Sequence, residues 1–120
     1  MALEGELGSG KTVFTKGIAI GLGIKEQITS PTFVIVKQYQ ISNIKYYKYG
    51  KSPLFLVHID CYRINNPDDA ESIGLKEYFE SKDNITIIEW AENIKSILPK
   101  VTKYIKLEHL RKDQRKITIL

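Results

Sequence analysis

"ALEGELGSGKTVFTKGIAIGLG", residues 2–23, carries both a chemical motif and the start of a helical period. Within it Gly5–Thr12 satisfies G-x-x-x-x-G-K-[ST] (the Walker A pattern) at every position. That pattern describes a loop between a buried strand and a helix, curled so that successive amides face phosphate oxygens while the helix N-terminus adds partial positive charge. Phe14, Ile18 and Leu22 then recur at i, i+4 and i+8, so the spacing predicts a helix with one apolar stripe, ending at Gly23. Gly17 and Gly21 share another face of it, where absent side chains would let a sheet approach closely. Only Met1–Glu4 precede the first glycine, fewer than the roughly five residues of an ordinary strand. Ala2 and Leu3 are therefore expected to fill the last buried positions of a short lead strand, at some cost in stability.

The loop names its own candidates. Gly8, Ser9, Gly10, Lys11, Thr12 and Val13 would line the nucleotide, Lys11 reaching the β- and γ-phosphates and Thr12 placing its hydroxyl on Mg²⁺. A magnesium phosphate site also needs carboxylates at the carboxyl ends of neighbouring strands. "LFLVHIDCYRI" (54–64) offers Asp60 and "NITIIEWAENI" (84–94) offers Glu89, each behind an apolar run. Period two sets Leu54, Leu56, His58 and Asp60 on one face and Phe55, Val57, Ile59 and Cys61 on the other.

Each of these residues also has a plainer role open to it. Glu89 is a metal ligand or a strand-end acid neutralised by a lysine; Asp60 a water-orienting group or a turn residue. His58 either shuttles a proton beside Asp60 or is a hydrogen-bonded structural histidine. Trp90 stacks on a base, covers the metal site or packs in the core. Thr32, in "SPTF", either senses a γ-phosphate through magnesium or belongs to an ordinary loop. Arg63 and Arg115 contact phosphate or a partner, or form surface salt bridges.

Around the motif the pattern alternates between strands and helices, which predicts an α/β domain. "TSPTFVIVKQYQI" reads as a strand from Thr32 to Ile41. After a polar segment turning at Gly50, residues 54–64 return as its antiparallel neighbour. "NNPDDAESIGLKEYF" starts a helix, with Asn66 as cap, Pro67 at the first position and Asp68 and Asp69 facing free amides, and Gly74 divides it in two. "AENIKSIL" is a short helix stopped by Pro99, and "YIKLEHLRKDQRKITIL" alternates about a charged turn as an outer hairpin.

With 120 residues, the chain makes one domain and needs no disulfide framework. Its one cysteine, Cys61, sits in an apolar run, which points to core filling in a reducing, cytoplasmic compartment. No signal-peptide pattern opens it, and no apolar run approaches about 18 residues, so no membrane role is expected. The formal charge of +4 is spread along the chain, densest in "KYYKYGKS" and "LRKDQRK".

"GELGSGKT", "SPTF", "HIDCYR", "IGLKEYF" and "IIEWAENI", in this order from Gly5 to the tail, resemble the TsaE (YjeE-like) proteins, bacterial ATPases of tRNA threonylcarbamoyladenosine biosynthesis. The resemblance implies a three-layer P-loop NTPase-like domain over 1–120, with a mostly parallel central sheet and an added antiparallel hairpin. It further implies ATP or ADP with Mg²⁺, and action with TsaD-like and TsaB-like proteins on adenosine 37 of tRNAs reading codons that begin with A, the tRNA being met through that complex. A slow, partner-stimulated ATPase is the expected activity. The alternative is a non-hydrolysing, nucleotide-dependent module or truncated paralogue that docks on the TsaD protein.

By the same resemblance Gly8–Thr12 bind phosphate, Thr12 and Glu89 hold magnesium, and Asp60, Lys11 and Thr32 serve catalysis. Trp90 falls on the family's E-W signature, with His58 and Arg63 in support. Arg115 matches the arginine of a Gly-Arg pair near the nucleotide, whereas its glycine is replaced here by Gln114. A helix and the full lead strand that usually precede the loop are absent from this sequence, and residues 42–53 are richer in lysine and tyrosine than is usual.

Overall fold

The computed structural model describes residues 1–29, 35–41 and 55–120. Among them, strands β1 (Ala2–Glu4), β2 (Val36–Gln40), β3 (Phe55–Asp60), β4 (Asn84–Glu89), β5 (Tyr104–His109) and β6 (Arg115–Ile119) form one sheet in the order β2-β3-β4-β1-β5-β6. The four inner strands run parallel, and β2 and β6 close the two sides as antiparallel partners. Thr32 and the segment from Ser42 to Pro53, with its expected turn, lie outside the described residues.

The short lead strand takes the most buried place available. β1 lies between β4 and β5, with Ala2 beside Ile88 and Leu3 beside Ile105, and both of its apolar side chains are fully enclosed. Its two residues serve opposite faces. Leu3 joins Leu56, Ile87, Ile105 and Leu107 under helix α1 (Lys11–Gly21); Ala2 joins Val57, Ile59 and Ile88 beneath α2 (Pro67–Ser72), α3 (Leu75–Glu80) and a 3₁₀ helix, Ala91–Ile97. Helices on both faces of a mostly parallel sheet make the three layers.

Helix α1 ends where its sequence says. Gly23 adopts φ +75°, Gly23 N–H reaches the Ile20 carbonyl at 3.0 Å and Ile24 N–H the Ala19 carbonyl at 3.0 Å, a Schellman closure that seats Ile24 in the core. Its buried line is Lys11, Thr15, Ala19 and Leu22, however, with Phe14 and Ile18 half-buried on the flank. Gly17 and Gly21 face open space, so the expected close approach of the sheet at these positions does not occur. Ala19, on the face opposite to them, is the small residue that packs.

On the other layer, Asn66 Oδ1 accepts from Asp69 N–H at 3.0 Å, Pro67 occupies the first turn, and Gly74 at φ +79° divides α2 from α3. Two expected elements are modified. The strand read into "NITIIEWAENI" stops at Glu89, because Trp90 turns the chain at φ 56°, and the helix beyond is 3₁₀ with a non-helical break at Ile94.

Candidate functional site

Parallel strands project their carboxyl ends to one edge of the sheet, and β1, β3 and β4 do so together. The register pairs Asp60 with Glu89 and Leu3 with Glu89. The loop that leaves β1 therefore rises directly beside both acids.

Within the loop Gly8 and Gly10 adopt positive φ of 79° and 102°, and Phe14 N–H bonds the Gly10 carbonyl at 2.8 Å to begin α1. Gly10 caps that helix without any side-chain acceptor, so its first amides keep their donors turned toward the loop's hollow. Gly5 is held by crowding: a Cβ there would collide with the Leu107 carbonyl oxygen and lie 2.6 Å from Ser9 Oγ, at φ +152°. Ser9 Oγ is buried and makes no hydrogen bond among the described residues. A buried hydroxyl without a partner, uncapped helix amides and a lysine in one hollow are the donor set of an anion site, and they suit phosphate.

Lys11 is turned inward. Its ammonium donates to the Gly5 carbonyl and, at 3.0 Å, to that of Glu6, and it lies 4.2 Å from the centre of the Trp90 ring. Burial pushes its pKa below the ordinary lysine value, opposed by the charges of Glu89, Glu92 and Asp60. Trp90 is half-buried in left-handed backbone, a conformation that costs a non-glycine residue on the order of 1–3 kcal/mol, and its ring meets Tyr62 at 5.1 Å between centroids. Its ring covers the Lys11 ammonium and also packs against the core cluster of Val57, Ile59, Ile88 and Ile94.

The two acids differ in their partners. Thr12 Oγ1 donates to Glu89 Oε1 at 3.2 Å, with Oε2 at 3.4 Å, and the fully buried His58 bonds Glu89 Oε2 through Nε2. Glu89 is thus hydrogen-bonded by a hydroxyl and an imidazole, while its charge also acts on Lys11, the lysine that its plainer reading required. Asp60 Oδ1 accepts the Tyr62 amide at 2.9 Å, so the turn reading holds, yet the residue also faces the site. Thr12 and Glu89 present hard oxygen donors to one point, which suits Mg²⁺, an ion that draws much of its shell from water and phosphate. Among the described residues no three His, Cys, Asp or Glu side chains gather as a metal cage.

One pocket of about 410 Å³ collects these parts, lined by Leu7, Gly8–Val13, Asp60, Tyr62, Glu89, Trp90 and Arg115. Arg115 reaches its rim from the start of β6, its guanidinium bonding the Lys112 and Gln114 carbonyls at 3.0 and 3.1 Å. Arg63 is exposed and does not line the pocket, so the support expected from it is not met there; His58 stands behind the wall rather than in it. Leu7, Tyr62 and Glu92 were not singled out by sequence. Tyr62 stood in plain view two positions after Asp60, but strand alternation ends at the turn that redirects it.

The family model described as threonylcarbamoyl adenosine biosynthesis protein TsaE matches residues 1–117. The chain is 42% identical over 118 residues to the tRNA threonylcarbamoyladenosine biosynthesis protein TsaE of Bacillus subtilis, covering 98% of this chain and 66% of the relative. It is 40% identical over 119 residues to the Treponema pallidum protein of that name, covering 99% and 79%. The crystal structure of Bacillus subtilis YdiB superposes with a TM-score of 0.72 at 36% identity, covering 98% of this chain and 64% of that one. The chain thus spans 66% of the length of the Bacillus subtilis relative and 64% of that of the YdiB structure.

Proposed function

The chain belongs to the TsaE family, and from that premise we propose that it is the Mg²⁺-dependent ATPase subunit for threonylcarbamoylation of adenosine 37 in tRNAs reading codons that begin with A. It acts with TsaD-like and TsaB-like partners and meets tRNA through them. The observation that carries the reading is the single pocket in which the loop Gly8–Val13 stands against Asp60 and Glu89.

In this reading the α1 amides, Ser9 and Lys11 bind the phosphates, and Lys11 exchanges the Gly5 and Glu6 carbonyls for β- and γ-phosphate oxygens. Thr12 and Glu89 would hold magnesium, which would supply positive charge against those phosphates. Asp60, fixed by the Tyr62 amide, orients a water or takes its proton for in-line attack, giving ADP and phosphate. Arg115 adds charge at the rim, and Thr32, the threonine on which the family's S-P-T motif falls, senses the γ-phosphate through magnesium.

The test is ATP hydrolysis with the TsaD and TsaB proteins added, for the unaltered chain, Asp60→Ala and Glu89→Ala. Loss of a general base lowers turnover by about 10²–10⁴-fold, and a fall of that order is expected for Asp60→Ala. Unchanged stimulated hydrolysis in both variants would show the catalytic roles to be wrong. A second reading, a nucleotide-dependent module without turnover, is favoured by Lys11 lying bound to loop carbonyls beneath Trp90. Ordinary ADP affinity with no stimulated hydrolysis is its signature.

A further inference from the structure

We infer that His58 is a positioning residue for magnesium: it fixes the Glu89 carboxylate so that one edge faces Thr12. The inference rests on the reading that Thr12 and Glu89 hold the ion. His58 lies in β3 two residues before Asp60, fully buried, with its ring directed at Glu89 Oε2. A carboxylate only accepts, so the hydrogen-bond network assigns the ring proton to Nε2.

The other ring nitrogen, Nδ1, is buried and makes no hydrogen bond among the described residues. For packing alone, an apolar side chain of similar volume would fill this place without an unpaired nitrogen. What the imidazole adds is its single donor behind Glu89. Without it the carboxylate can rotate toward the Lys11 ammonium, for which Glu89 is the strongest of the nearby negative charges. With it, Oε2 is tethered from behind and Oε1 stays on the Thr12 hydroxyl at 3.2 Å. Hydrogen bonds that orient a metal-binding carboxylate in this way typically change metal affinity about 10–100-fold.

The experiment titrates ADP in EDTA, then MgCl₂ at fixed ADP, using the emission of Trp90, the one tryptophan of the chain and part of the pocket wall. His58→Leu is expected to raise the MgCl₂ midpoint about 10–100-fold while leaving ADP affinity in EDTA within about twofold. His58→Gln, whose amide nitrogen reaches the Nε2 position, is expected to restore most of the loss. A midpoint unchanged in His58→Leu overturns the proposal. A shift as large in His58→Gln also overturns it, since ring packing would then be the cause. Thermal midpoints accompany each variant, and His58→Asn, too short to reach Glu89, replaces His58→Leu if that chain does not fold. Glu89→Ala separates the premises. If it shifts the midpoint and His58→Leu does not, only the role of His58 fails; if neither shifts it, the magnesium reading falls as well.

Discussion

Gly5 and Gly17 show how the same residue type answers different constraints. At Gly5 an added methyl group meets the Leu107 carbonyl and Ser9 Oγ, so Gly5→Ala combines overpacking with a strained φ. We expect a loss of at least about 1–3 kcal/mol in denaturant unfolding, together with weakened nucleotide binding. At Gly17 the methyl group enters open space within α1, so Gly17→Ala should stabilise the protein by about 0.5–1 kcal/mol. Calorimetric midpoints moving in opposite directions would bear this out; a destabilised Gly17→Ala would mean that something packs on that face. Spacing places Gly5 in the loop motif and Gly17 on a helix face, but it does not show which of them is crowded. Lys11 and Trp90 make the same point: the motif announced the lysine, but its contact with a side chain 79 positions away depended on β1 and β4 being neighbours.

At the scale of elements, the signals legible in the sequence were those satisfied within a few residues. The Asn66 cap, Pro67, the break at Gly74 and the closure at Gly23 are local hydrogen-bond and φ requirements, and the structure meets each of them. Asn66→Ala should therefore cost about 1 kcal/mol, read as a lower urea midpoint with unchanged slope. Nucleotide affinity should not change, because α2 packs on the sheet face away from the loop. An affinity loss matching the stability loss would connect α2 to the site. Less legible was the exit from β4. The mixed segment "EWAENI" does not mark where the strand stops, but Trp90 leaves the ladder, and Asn93 Nδ2 then bonds the Cys61 carbonyl at 2.8 Å, tying the ends of β3 and β4. That tether joins residues 32 positions apart, which no local pattern encodes.

For the whole molecule, Cys61 reports on closure of the core. It is fully buried, and burial first, then the charges of Asp60 and Glu92, pushes its thiol up to about 12 from 9.0. Between those values the unfolded chain releases the proton and the native one retains it. The thiol's contribution to stability is therefore constant below pH 9 and falls as pH rises toward 12, by up to about 1.4 kcal/mol per pH unit. Lys11 acts in the opposite sense up to pH 10.5, its lowered pKa making the native state shed a proton first, so the thiol is isolated by comparison with Cys61→Ala. We expect the stability difference between the two proteins to change with this slope in alkaline urea titrations. A thiol reagent should modify native Cys61 no faster than the chain unfolds; prompt labelling at pH 8 would contradict its burial.

The sequence alone determined that a glycine-rich loop of Walker A pattern leads into a helix, that Asp60 and Glu89 end apolar strands, and that the alternation of elements is α/β. Each follows from chemistry or periodicity confined to one segment. Tertiary structure decided which strands are neighbours, and with that the bond from His58 to Glu89, the contact between Thr12 and Glu89, the ring over Lys11 and the arrival of Arg115 at the rim. It also left Arg63 outside and Gly17 facing open space. The physical reason is strand order. A three-residue β1 inserted between β4 and β5 brings the end of every inner strand to the loop, and that insertion is settled by burying Ala2 and Leu3 on opposite faces of one sheet.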